Sequence, residues 1–346
     1  MTRGVPERVP APAGPALRAP LATPIRVGIV GYGAIGGVHV QALRGRDDAR
    51  TVAVCRRGGG QTPEPGVDVH ADYRELLARQ DIDVAVICTP SGLHAEHVSA
   101  ALSGGKHVVV EKPITITVGA ARELAQEARQ RELVLAPISQ RRFEPQSAYL
   151  KRLIDAGTLG TPVLGEALVR WFRDDAYYRA APWRGTLDDD GGVLLNQGLH
   201  TIDLLCWLFG KCRTAHGVTA TLTHAIAAED TAAATLQFES GALGVVAVTT
   251  SARPGSPEEL NLFFDRGSVR LQGSSITGWT FPDVPRPDEL PAPRGSGAND
   301  PLAIGSVGHR AQWDDIVAAL AGGRDPSVTA DSAIETLETI EQARRS

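Results

Sequence analysis

From residue 24 onward the chain alternates short unbroken apolar runs with longer stretches of helical spacing. Residues 25–30, 51–55, 83–88, 107–110 and 133–136 are β-branched or aliphatic runs without polar alternation. Strands buried on both faces read this way. Between them lie segments with helical periodicity: one after the glycines at 31–36, then about 73–79, 93–103 and 118–131. Gly104-Gly105 closes the third of these in the usual C-cap position. Alternating strands and helices predict a parallel, doubly wound sheet over residues 24–142.

The pattern changes after residue 142. Residues 145–156 predict a helix ending at Gly157, 163–172 a long strand and 193–209 a second helix. Residues 231–238, 242–250, 259–264 and 268–271 then read as hairpin-connected strands, with Glu239-Ser240-Gly241 and Asp265-Arg266-Gly267 as turns. A proline- and glycine-rich stretch, 280–308, predicts an irregular loop before two final helices near 309–321 and 330–344. The expected organisation is an α/β nucleotide domain followed by an α+β domain, 143–346, built on a large, mostly antiparallel sheet. Six of the first 24 residues are proline, which predicts a disordered tail over 1–23.

Composition narrows this little. The 346 residues are 42% hydrophobic and 22% charged with a net charge of −5, so nothing favours nucleic acid or an anionic membrane as partner. No apolar run reaches membrane-span length. Cys55, Cys88, Cys206 and Cys212 show neither metal-ligand spacing nor a disulfide framework, which suits a reducing cytoplasm.

The glycine cluster carries the first chemistry. Gly31-Tyr32-Gly33-Ala34-Ile35-Gly36 follows a predicted strand and opens a predicted helix, the context in which GxGxxG signifies dinucleotide binding. Gly31 permits the tight turn, Gly33 the approach of a pyrophosphate, and Gly36 close packing of helix on strand. The free N–H groups at the helix start would hold the diphosphate. At the end of the second strand, where an NAD site usually has Asp or Glu, stand Arg56 and Arg57. Guanidinium groups pair with a 2′-phosphate, so the expected cofactor is NADP, with NAD possible.

Further motifs follow in order: Thr89-Pro90-Ser91, His94, Gly105-Lys106-His107-Val108, Glu111-Lys112-Pro113, Ser139-Gln140-Arg141-Arg142-Phe143-Glu144-Pro145 and the block from Gly191 to Leu205. Together they resemble the glucose-fructose oxidoreductase / inositol dehydrogenase (Gfo/Idh/MocA) family over nearly the whole chain from residue 24. The resemblance implies a nicotinamide-dependent dehydrogenase or reductase acting on a sugar, sugar derivative or cyclitol, and a homo-oligomer. It implies cofactor contacts from Ala34, Ile35, Thr89, Pro90, Ser91, His94, Glu111, Lys112 and Gln140. It also implies a cis peptide before Pro113.

Alcohol oxidation needs a base at the hydroxyl and a cation for developing alkoxide character. Lys112, just past a parallel strand, and His200, on the 193–209 helix, are the expected catalytic pair. Asn196, His200 and Asp203 are spaced i, i+4, i+7 and are expected on one helix face. Many sugar and inositol dehydrogenases of the resembled family carry Asp at the position of Asn196. An amide cannot take a proton, so proton transfer is assigned to His200. Trp171, Tyr177, Tyr178, Trp183 and Arg184 form an aromatic and cationic stretch suited to a polyhydroxylated ring, and the resemblance implies Arg142 as a further substrate contact. His94 and His97 lack a third ligand, and no metal site is expected; His309 is a weaker candidate residue. Two other classes remain open: a non-catalytic dinucleotide-binding regulator, and a hydrolase or lyase using tightly bound NAD transiently.

Overall fold

The structure is a computed structural model, which describes residues 18–60, 62, 64–287, 290 and 307–345. The first half contains β1 (Ile25–Val30), α1 (Ala34–Leu43), β2 (Ala49–Cys55), β3 (Asp68–His70), α2 (Tyr73–Leu77), β4 (Val84–Ile87), α3 (His94–Ser103), β5 (His107–Val110), α4 (Val118–Gln130) and β6 (Leu135–Pro137). All six strands are parallel, in the order β3-β2-β1-β4-β5-β6. This is the doubly wound arrangement, whose crevice lies at the carboxyl ends of the strands beside the switch in strand order.

The second half contains α5 (Pro145–Asp155), β7 (Pro162–Arg170), α6 (Asp175–Arg179), a π-helical turn (Leu194–Gly198) leading into α7 (Leu199–Phe209), and β8 (Cys212–Ala220). It continues with β9 (Thr231–Phe238), β10 (Leu243–Thr249), β11 (Glu259–Phe264), β12 (Gly267–Gln272), β13 (Ser275–Trp279), α8 (Val307–Ala321) and α9 (Ala330–Arg345). Its strands form one sheet, β13-β12-β11-β7-β10-β9-β8, antiparallel except where β10 runs parallel to β7. The inner face, with Leu236, Phe238, Val246, Val248, Leu260 and Leu262, is buried. Gly165 lets α7 sit tight on β7, since a Cβ there would lie 2.4 Å from Leu205 Cδ1.

Two expectations need correction. The chain does not leave the nucleotide domain at residue 142 for good. Trp313, Ile316, Val317 and Leu320 of α8 share a core cluster with Ile25, Val27 and Ile29 of β1. Nor is all of 1–23 a free tail. Residues 1–17 lie outside the described residues, but Leu21 N–H donates to the Leu320 carbonyl at 3.0 Å, and the Arg18 guanidinium bonds Asp325 at 2.5 Å. Most of the expected 280–308 loop also lies outside the described residues; Phe281 packs its ring 5.2 Å from Trp279. No helix among the described residues is long and apolar enough to cross a membrane.

Candidate active site

The glycine turn is tight for local reasons. Gly31 has φ 97°, and a Cβ on it would lie 2.7 Å from the Cys88 carbonyl carbon at the end of β4. A Cβ on Gly36 would meet the Gly31 oxygen at 2.6 Å. At Gly33 nothing comes within 4 Å of the equivalent position, so the protein leaves the space over the start of α1 open. No side chain caps that helix start, and its first turn holds no acid. The exposed N–H groups and the positive end of the helix dipole therefore suit a diphosphate.

A cleft of about 670 Å³ opens there, lined by Gly31, Tyr32, Gly33, Arg56, Arg57 and Thr89 among others. Arg56 and Arg57 are exposed, and neither forms an ion pair among the described residues. The acids of the same cleft are engaged: Asp72 caps α2 through Arg74 N–H at 2.9 Å, and Glu96 accepts from the Tyr73 hydroxyl at 2.6 Å. Pro90 and His97 also line the cleft, whereas His94 is buried behind it. The two ring nitrogens of His94 lie 2.9 Å from the Thr89 oxygen and 2.7 Å from the Pro113 oxygen. His94 thus braces the end of β4 against the Lys112–Pro113 step, whose peptide is cis.

Glu111 and Lys112 follow β5. Burial alone would push the Glu111 carboxyl up, but hydrogen bonds from His309 and His39 hold it well below the usual carboxylate range. Its Oε1 lies 3.0 Å from His39 Nε2 and 3.2 Å from His309 Nε2, and its Oε2 accepts from the Lys112 backbone N–H at 3.1 Å. His39, Glu111 and His309 place ligand-type atoms within 4.8 Å of one another. The donor set decides against a cation. Trp313 Nε1–H donates to His39 Nδ1 at 3.0 Å, so in the neutral ring the proton sits on Nε2, which donates to Glu111. Burial holds His39 in that neutral form.

Lys112 Nζ donates to the Asn196 carbonyl oxygen at 3.0 Å and lies 3.4 Å from Asn196 Oδ1. Burial lowers its pKa, opposed by the charges of Glu111 and Asp190. Asn196 Nδ2 in turn bonds Asp190 Oδ1. His200 keeps a partly open edge and no hydrogen-bond partner among the described residues. Burial, with the Lys112 and Arg141 cations, pushes it well below the ordinary imidazole range, so its ring is neutral. The structure therefore joins Lys112 to Asn196 and sets the neutral His200 in the field of Lys112.

Asp203 goes elsewhere. Asp203 accepts the Arg142 guanidinium at 2.9 and 2.5 Å and the Thr336 hydroxyl at 2.9 Å. Arg142, expected as a substrate contact, is thereby taken up in a buried ion pair. Tyr178 is likewise buried, its hydroxyl 2.8 Å from Thr250 Oγ1 and its ring 4.8 Å from that of His224. Gln140 is buried against Gly308. Arg184 fits the expectation better: its guanidinium lies 4.1 Å over Tyr177 and 5.4 Å from Trp183, and it faces Asp190. Trp171, just past β7, is buried, with Arg173 5.0 Å over its ring.

Three residues outside the expected set also shape the site: Asp190, His39 and Glu229. A Cβ on Gly192 would fall 2.2 Å from Glu229 Oε2, so Gly192 is what admits that carboxylate beneath the π-helical turn. Arg344 of α9 holds it there at 2.6 Å.

Residues 25–138 match the model of the oxidoreductase family with an NAD-binding Rossmann fold, and residues 147–270 match the Gfo/Idh/MocA C-terminal domain. The chain belongs to the Gfo/Idh/MocA family of NAD-binding oxidoreductases. A myo-inositol 2-dehydrogenase of Thermotoga maritima is 27% identical over 71% of this chain and 74% of its own length. An NADP-dependent scyllo-inositol 2-dehydrogenase of Bacillus subtilis is 31% identical over 54% of this chain and 52% of its own. Among solved structures, the WlbA dehydrogenase of Bordetella pertussis, in complex with NADH and UDP-GlcNAcA, is 29% identical. It superposes with a TM-score of 0.79 over 92% of this chain and 96% of that one. Family members thus include sugar and inositol dehydrogenases, and this member has the same two-sheet fold.

Proposed function

We propose that this Gfo/Idh/MocA oxidoreductase is an NADP-preferring dehydrogenase or reductase that moves a hydride between the nicotinamide and a secondary alcohol or ketone. The substrate class is a sugar, sugar derivative or cyclitol. One observation carries the reading: Lys112 Nζ is fixed on Asn196 beyond the carboxyl end of β5, and His200, four residues further along, has no hydrogen-bond partner among the described residues.

The nicotinamide, when bound, supplies the hydride acceptor for oxidation and the donor for reduction. The side chains handle the proton. A neutral imidazole can take the hydroxyl proton, and an ammonium has three N–H donors, two of which point to Asn196 oxygens. The third is left for the oxygen that gains negative charge, so Lys112 stabilises alkoxide character while His200 acts as base. Reduction runs the same steps backwards. Asn196 holds the lysine and does not titrate.

NADP is favoured by Arg56 and Arg57, both in the cleft and both without a carboxylate partner among the described residues, while the nearby Asp72 and Glu96 are engaged. The stacking of Arg184 on Tyr177 and Trp183 suits a hydroxylated ring with apolar C–H faces. We also propose a homo-oligomer formed through the outer face of the seven-stranded sheet, where Leu243, Val245 and Phe263 stand exposed. Four free, buried cysteines agree with a cytoplasmic setting.

The test is turnover of a sugar, sugar-acid and cyclitol panel with NAD and NADP, followed by nicotinamide absorbance. Net reduction with at least one member, faster with NADP, is expected. Consumption of a substrate with no net absorbance change would mean a hydrolase or lyase instead.

A further inference from the structure

Among the described residues, Asp190 is the carboxylate of the substrate domain that hydrogen-bonds the Lys112–Asn196 pair. It is 3% exposed. Its Oδ2 accepts the Gly185 N–H at 2.7 Å, and its Oδ1 accepts the Asn196 amide Nδ2. The loop carrying it is pinned: Gly191 N–H donates to Thr186 O at 3.0 Å, and the Gly185 carbonyl accepts from Ala227 and Ala228. The same loop abuts the cofactor side, since a Cβ on Gly92 would lie 2.6 Å from the Asp188 oxygen.

The orientation of the Asn196 amide follows from both of its ends. A carboxylate only accepts, so Asn196 must turn its NH₂ to Asp190; Lys112 only donates, so the amide oxygen must face Lys112. Lysine, amide and carboxylate then form one polarised line, in which charge at the far end strengthens both hydrogen bonds.

We propose that Asp190 is a positioning residue: it locks the Asn196 amide with its oxygen towards Lys112 and supplies, one side chain removed, the carboxylate that many sugar and inositol dehydrogenases carry at the position of Asn196. The assignment rests on the dehydrogenase reading for its purpose, but not for its geometry. The departure at Asn196 is thus compensated within the chain. The charge reaches Lys112 relayed through an amide, and Asn196 remains unable to take a proton from the substrate. The groups facing Asp190 are Lys112, Arg184, Tyr177 and Tyr178, and those facing Lys112 are Glu111, Asp190, His94 and His200. Asp190 is the acid among them that reaches Lys112 through Asn196.

The experiment compares wild type with Asp190→Asn, Asn196→Asp and the exchanged pair Asp190→Asn/Asn196→Asp. Lys112 is followed by competitive acetylation against pH with mass spectrometry, alongside thermal melting and, where turnover exists, kcat and KM. Asp190→Asn should move the Lys112 labelling midpoint to lower pH and cut kcat by roughly tenfold with little change in cofactor KM. Asn196→Asp sets two carboxylates against each other and should also lose activity. The exchanged pair puts the carboxylate directly on Lys112 and should return the midpoint to wild type or above, with most of kcat. An unmoved Lys112 midpoint in a folded Asp190→Asn protein would overturn the assignment. So would an exchanged pair no better than Asp190→Asn alone. Labelling needs no substrate, so a chain that shows the midpoint shift yet never turns over a sugar would sink the dehydrogenase reading and support the role of Asp190.

Discussion

Arg142 and Asp203 form a two-pronged ion pair, at 2.9 and 2.5 Å, where the segment leaving the nucleotide sheet meets α7. Both side chains are nearly inaccessible to water, and Thr336 of α9 donates a third hydrogen bond to the same carboxylate. The pair ties the helix that carries His200 to the end of the nucleotide domain and so sets one domain against the other.

Removing one partner leaves a buried charge unmatched, which costs about 3–5 kcal/mol, whereas an apolar replacement of both is often near neutral. Arg142→Ala should therefore lower stability in urea unfolding by that order, and Arg142→Met/Asp203→Leu should recover most of it. A direct substrate contact would instead show as a raised KM with stability unchanged.

Arg56 and Arg57 should distinguish the two dinucleotides. Hydrogen bonds to charged groups contribute about 1.5–3 kcal/mol each, so Arg56→Ala/Arg57→Ala should weaken NADP roughly tenfold or more while leaving NAD within a few-fold. Calorimetric titration of both cofactors reads this. Equal losses for both would mean that the arginines do not meet the 2′-phosphate.

His107 should make the fold acid-sensitive. Its Nδ1 accepts the Val134 N–H at 3.0 Å, so the ring must stay neutral, and burial, with Arg18 adding, pushes its pKa down to about 4. The unfolded chain takes up the proton below about pH 6.5 and the folded chain does not, so stability is full above that pH. It then falls as pH drops towards 4, by up to about 3 kcal/mol from this group. His107→Asn keeps an acceptor for Val134 and does not titrate. It should flatten that part of the stability–pH curve; an unchanged slope would show that other groups set it.

Much of the nucleotide domain is legible in sequence because β1, β4 and β5 are buried on both faces and read as apolar runs, with Arg26 and His107 the polar residues among them. What escaped did so for physical reasons. β3, Asp68–His70, is a short polar edge strand, and β8, Cys212–Ala220, is exposed along much of its length. Lys112, Asn196 and His200 were readable from type and position. Asp203 was misplaced because its partners, Arg142 and Thr336, are far away in sequence, and helical spacing alone does not show that they take up its carboxylate. Asp190 could not be found from spacing at all. Its partners, Gly185 and Asn196, become neighbours only when the loop folds back.

Chelation should do nothing. Because the indole N–H of Trp313 occupies His39 Nδ1, the His39–Glu111–His309 cluster is closed by hydrogen bonds. Melting temperature and turnover should be unchanged by EDTA or by added zinc. A fall in melting temperature on chelation would make this cluster a metal site and Trp313 a second-layer residue.

In the proposed reaction Lys112 and His200 perform proton and charge chemistry beside a nicotinamide. The most direct measurement is nicotinamide turnover on the sugar and cyclitol panel by wild type and by Lys112→Ala, with cofactor affinity measured on both. Lys112→Ala should still bind cofactor but lose about 10²–10⁴ in kcat. Full activity in a folded, cofactor-bound Lys112→Ala protein would contradict that role.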